Sequence, residues 1–203
     1  MKFFIPIFFT LSAVIIYCFP NMTELLEYNR ELIFRGEYWR LVTGHFTHCS
    51  LDHLFWDTVT FAILSFICCR KSIKLYLLMI TVSSLFISIV ILIMNSEIMI
   101  YRGLSGIDTA LFFFAAYSIA TKAVKNRDKL WTLIGCTLLI LPVIKTLYEY
   151  FTGNLLFTNS SNFLPLPGVH LAGIVICCII IIINDSHALF TYFQSKQSPV
   201  QDL

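Results

Sequence analysis

IKLYLLMITVSSLFISIVILIM, residues Ile73–Met94, decides the fold: it holds one charge, Lys74, at its very start, and then runs apolar to its end. A bilayer core needs roughly 20 apolar residues per crossing helix, and a soluble helix of this length would show a polar face. Working outward, five further runs read the same way: Phe3–Phe19, His53–Cys69, Ser105–Thr121, Leu130–Leu147 and Gly168–Asn184. Several are at the short end, as suits a protein that thins its bilayer or admits water from one side. The first lacks an A-x-A cleavage site, so it reads as a retained helix and not as a signal peptide. The expected architecture is an all-α membrane protein, a six-helix bundle over residues 1–184 with a short, loose cytoplasmic tail over 185–203.

Composition agrees. The chain is 58% hydrophobic and 13% charged, about half the charge of a soluble domain, and its mean hydropathy is +0.80. The net charge of +2 implies no strongly basic or acidic partner, and Lys and Arg fall in short clusters at the ends of apolar runs, so nucleic acid is excluded as a partner. Seven cysteines show no CxxC spacing. Most sit within apolar runs as small core residues; only Cys18 and Cys49 share a side on which a bridge could form. His45-x-x-His48 has no further ligand in phase, so no metal is expected, and no cofactor is implied.

Lys and Arg orient the bundle. With the N-terminus inside, Lys2, Arg70, Lys71, Lys74, Lys122, Lys125, Arg127, Lys129 and Lys196 face the cytoplasm, nine of fourteen. Both termini are then cytoplasmic. The long connection Pro20–Asp52, with its apolar residues Leu25, Leu26, Leu32, Ile33 and Phe34, becomes a structured first extracytoplasmic loop.

This topology brings polar residues together. His53 and Asp57 open the second span, Ser105 and Asp108 the fourth, and His170 the sixth, all at one shallow depth on the outer side. Ionisable groups in spans are costly and mark function. A serine within reach of a histidine is a nucleophile with a general base. Gly103 and Gly106 flank Ser105 and permit a tight turn, and a serine at a helix N-terminus sits where free N–H groups favour a developing oxyanion. His53 and Asp57, four apart, share one face that could line the same pocket. Gly173-x-x-x-Cys177 is a small-residue pattern that lets the sixth span approach the fourth.

At these residues the sequence resembles the rhomboid intramembrane proteases. The matching elements are Trp39-Arg40 in the first loop, Phe46-x-His48 followed by His53-Leu54, Gly103-x-Ser105-Gly106, and His170-x-x-Gly173. The run Tyr101–Gly106 on a short six-helix chain looks most like the rhombosortase-type branch, which is associated with trimming C-terminal sorting tails. The resemblance implies a Ser105–His170 dyad without an obligatory acid, and oxyanion donors from His53, a nearby side chain and the Ser105 backbone N–H. It implies a transmembrane or membrane-anchored protein as substrate, entering near spans two and five, with Phe151–Pro167 capping the pocket. It also implies residence in the bacterial inner membrane, the site facing outward.

Two positions depart from the family pattern. Asp57 stands where the family has Asn, and an ionised carboxylate there would repel an oxyanion. It is therefore expected either to be protonated or to turn away toward His53, Arg102 or His170. Thr109 stands where a Tyr usually stacks on the histidine. Asp108 could take over that support by accepting from His170, or could answer Arg102. Trp39 and Arg40 are expected to anchor the first loop. Two rivals remain: an inactive protein of the same fold that binds or escorts membrane clients, and a small transporter with a proton relay. The transporter predicts an inverted sequence symmetry that the chain does not show.

Overall fold

The computed structural model describes residues 3–154 and 166–197, with residues 187–197 as backbone alone. Nearly all of it is helix. Five helices are long and apolar enough to cross a membrane: α5 (Leu51–Lys71), α6 (Ile73–Met94), α7 (Ser105–Lys125), α8 (Lys129–Thr152) and the Pro167–Ser186 portion of α9 (Pro167–Gln197). The first expected span is shorter than a crossing helix by itself. It is α1 (Phe4–Cys18), and it counts as a sixth span only together with α2 (Pro20–Leu26), from which it is bent by 115°. Pro20 at the first position of α2 explains the break, because it offers no N–H to continue α1.

Local sequence sets the helix starts. The Ser50, Ser72 and Asp128 side chains accept from the amides of His53, Leu75 and Trp131, capping α5, α6 and α8. Gly153, at φ +68°, ends α8 in the left-handed region that favours glycine. The expected end of that span was Leu147, but the helix continues to Thr152. The segment expected as a loose tail is helical as far as Gln197. Most of the expected capping loop, residues 155–165, lies outside the described residues.

The connection before α5 is structured. It contains β1 (Tyr28–Asn29), α3 (Arg30–Phe34), α4 (Arg40–Thr43) and a 3₁₀ turn, Gly44–Phe46. β1 pairs antiparallel with β2 (Ile100–Tyr101), Tyr28 opposite Tyr101, and so ties this loop to the segment that leads into α7. Arg40 is 3% exposed and donates to the carbonyls of Glu24 and Glu27 and to the Glu37 carboxylate. Trp39 Nε1 donates to the Leu25 carbonyl at 3.3 Å. Both therefore fasten the loop to itself. The cysteines among the described residues are all free, Cys18 and Cys49 included.

His45 pins the loop to α6. Fully buried, its Nε2 lies 3.0 Å from the Ser84 carbonyl and 3.1 Å from Ser88 Oγ. Burial pulls its pKa from 6.5 down to about 4. The folded state therefore keeps His45 neutral where the unfolded chain would protonate it. Its contribution is complete above about pH 6.5 and is lost as pH falls toward about 4, on the order of 3 kcal/mol. Buried His48 shifts in the same direction for the same reason. The thermal midpoint in detergent should fall across that window, and the slope should be shallower in His45→Gln.

Glycine contacts set how closely α7 approaches its neighbours. A Cβ on Gly173 would run into the Gly106 carbonyl oxygen, and one on Gly106 would crowd Ile87 and the Val169 carbonyl. The start of α7 and the start of α9 thus touch backbone to backbone, which only glycine permits here. Gly135 does the same for α8 against Ala120 of α7.

Candidate active site

The glycine contact between α7 and α9 puts Ser105 and His170 at the edge of one cavity. Ser105 precedes Gly106, and His170 follows the Val169 carbonyl against which Gly106 rests. Both side chains line a cavity of about 960 Å³, together with His53, Asp57, Lys145 and Glu149. No hydrogen bond joins Ser105 to His170 among the described residues. The Ser105 hydroxyl instead meets the Tyr101 phenol. Catalytic hydrogen bonds are commonly loose before substrate tightens them.

The turn before Ser105 is held from three sides. Gly103 has φ +130°, and a Cβ there would strike the His53 ring and crowd Asp57. The Tyr101 hydroxyl donates to the Gly103 carbonyl at 3.1 Å, and burial pushes that phenol's pKa up. Asp57 Oδ2 accepts from the Leu104 amide at 2.8 Å. The same oxygen lies 3.2 Å from His53 Nε2 and 3.3 Å from His48 Nε2. The Asp57 carboxylate is thus turned onto the backbone and toward two imidazoles. The His53 ring is held by that carboxylate. Gly103→Ala combines a strained φ with a clash. It should lower activity by about 10²-fold or more, because small displacements of reacting groups are that costly. Labelling rate by a serine-reactive fluorophosphonate checks this.

The other expected neighbours are placed differently. Arg102 pairs with buried Glu27 at 2.7 Å, not with Asp108. Thr109 Oγ1 donates to the Ser105 carbonyl at 2.8 Å, an ordinary contact within the helix. Asp108 is buried, its Oδ1 without a hydrogen-bond partner among the described residues. It does not support His170. That place is taken by Glu149 of α8, whose Oε2 lies 2.9 Å from His170 Nδ1. Lys145, four residues earlier on the same helix, reaches Glu149 Oε1 at 2.8 Å.

Glu149, Lys145 and Tyr101 are cavity residues that the sequence reading did not single out. The only signal for Glu149 was a lysine and a glutamate four apart at the end of an apolar run. Among the described residues, no group of three or more His, Cys, Asp or Glu side chains could hold a metal ion.

The cavity lies between α5 and α8. Trp56 and Thr60 line it from α5, and Leu141, Pro142 and Ile144 line it from α8. Pro142 also removes an amide from the α8 ladder beside it. The arrangement offers an alcohol at a helix N-terminus, an imidazole backed by a carboxylate, and an apolar chamber beside them. In comparison with known families, the model of the Rhomboid domain matches residues 35–184. No curated protein matches the chain.

Proposed function

The chain belongs to the rhomboid family of multi-pass membrane proteins, and on that premise we propose that it is an intramembrane serine endopeptidase with Ser105 as nucleophile and His170 as base. The observation that carries this reading is the backbone contact of Gly106 with Val169 and Gly173, which brings the two side chains to one cavity. His170 takes the Ser105 proton as Oγ attacks the scissile carbonyl, and the imidazolium then protonates the leaving amine. Water, deprotonated by the same ring, releases the acyl group. The oxyanion is held by the Ser105 N–H at the start of α7, where the helix leaves amides without intrahelical partners. Asp57 is kept from repelling that charge by its bonds to the Leu104 amide and its contact with His53.

The substrate is a membrane-anchored protein whose transmembrane segment enters between α5 and α8. The chamber there is mostly apolar, which suits a lipid-borne helix, and its volume admits a short unwound stretch. A C-terminal sorting tail of an exported protein is the substrate class we favour, on the strength of the Tyr101–Gly106 run. The distribution of Lys and Arg supports cytoplasmic termini and a site on the outer side, and the membrane we favour is a bacterial inner membrane.

The test is co-expression with single-span proteins carrying such tails. Cleavage by the natural chain and none by Ser105→Ala is expected. Binding of those clients without cleavage by either would favour the rival reading, an inactive rhomboid-like escort.

A further inference from the structure

We propose that Glu149 completes the site as a positioning residue: it accepts a hydrogen bond from the Nδ1–H of His170, fixes the ring's tautomer and angle, and so assigns Nε2 as the base for Ser105. This rests on the Ser105–His170 reading above. Three observations carry it. Glu149 Oε2 is 2.9 Å from Nδ1, and the Glu149 side chain is 1% exposed. Lys145 Nζ holds the other oxygen at 2.8 Å and keeps the group an acceptor; it lies farther, at 3.4 Å, from His170 Nδ1, which leaves Glu149 as that nitrogen's nearer partner. Lastly, α8 buries few of its residues, and those are mostly small or apolar contact points: Gly135, Pro142, Thr146 and Glu149. A carboxylate among them costs desolvation that a plain packing residue would not.

The step balances. The Ser105 Oγ–H proton moves to Nε2 as the Oγ–carbon bond forms, and Nδ1 keeps its own proton throughout. The imidazolium so formed lies against the ionised Glu149. When the C–N bond breaks, the Nε2 proton leaves on the amine. Glu149 is never protonated, and Lys145 prevents it from drawing the Nδ1 proton away.

The other charged groups around the cavity are Asp108 on α7, His53 and Asp57 on α5, and Arg102 before α7. Asp57 and Arg102 are engaged with His53 and Glu27. The outer half of α6, from Val82 on, has no ionisable side chain. Glu149 and Lys145 therefore dominate the charge felt by His170, and they act in opposite directions.

The experiment tracks the rate of fluorophosphonate labelling against pH, using the full chain in detergent micelles. The variants are Glu149→Gln and Lys145→Met, with Ser105→Ala as the blank. Glu149→Gln should lose about 10²–10⁴-fold, as when the carboxylate behind a catalytic histidine is made an amide. Its acid limb should move to lower pH, because the imidazolium has lost its anion. Lys145→Met should lose less, and its limb should move to higher pH, because the ring has lost a nearby cation. Wild-type labelling rate in Glu149→Gln would overturn the proposal. So would a lower rate with an unmoved limb, which is what a mere tie between α8 and α9 predicts, whatever happens to the thermal midpoint. If Glu149→Gln does not fold, an unmoved limb in Lys145→Met overturns it instead. Labelling that persists in Ser105→Ala would sink the parent reading, whereas Ser105-dependent labelling indifferent to Glu149 would sink this one alone.

Discussion

Ser105→Ala gives a folded, membrane-inserted protein that takes no fluorophosphonate and cleaves no tethered substrate, a loss of about 10⁴-fold or more. The fold should be indifferent to the change. Ser105 is the first residue of α7 and not its cap: Leu104 occupies that position, and no side chain caps the helix. The Ser105 carbonyl, not its hydroxyl, accepts from Thr109. What disappears is the alcohol at the head of α7, on the cavity that His170 also lines. Removing the nucleophile leaves only binding and the oxyanion donor, which cannot form an acyl-enzyme. Labelling and cleavage should vanish together, with the thermal midpoint within a degree or two of the parent, since a solvent-side change of this size shifts stability by about 0.5 kcal/mol or less.

Gly173→Ala is the second large effect, and its cause lies a full turn away from the chemistry. A single methyl there meets the Gly106 carbonyl oxygen. Neither side can yield easily, because both are helix backbone. The start of α9 must therefore move away from α7, carrying His170 with it. Overpacking of this kind typically costs about 1–3 kcal/mol. An ångström of misplacement between reacting groups costs about 10²-fold in rate. Activity should thus fall more steeply than stability, and measuring both on one preparation separates the two effects. Gly168→Ala is the control, because nothing lies within 4 Å of a Cβ placed there.

The parts of this site that were legible in the sequence are those with a local signature. The apolar runs gave α5 to α9, since hydropathy needs only a window. The glycines around Ser105 and at Gly173 were legible because a close approach demands glycine whatever the partner. Glu149 was not, and the reason is physical. Hydropathy ends a span where charge begins, so Lys145 and Glu149 read as the border with water. Most side chains at the end of α8 are exposed, but Thr146 and Glu149 turn onto the protein, and there the acid of an i, i+4 ion pair can be buried against a neighbouring helix. Asp108, one turn from Ser105, was the natural candidate by spacing, yet nothing in spacing says which helix His170 turns toward. The fate of Asp57 was half legible. Its pairing with His53 follows from their i, i+4 spacing, but its bond to the Leu104 amide joins segments 47 residues apart. The two-residue pairing of β1 with β2 has no periodic pattern to announce it. It lies beside the Arg102–Glu27 contact, which joins the same two segments.

In the proposed mechanism Ser105 and His170 act on the same atoms from two helices. The most direct measurement is peptide mapping by mass spectrometry after treatment with a chloroisocoumarin, a reagent that acylates a serine and then alkylates a base beside it. One adduct bridging the peptide that holds Ser105 and the peptide that holds His170 is expected, absent from Ser105→Ala. An adduct on Ser105 that never reaches His170, or one that bridges to a different residue, would contradict it.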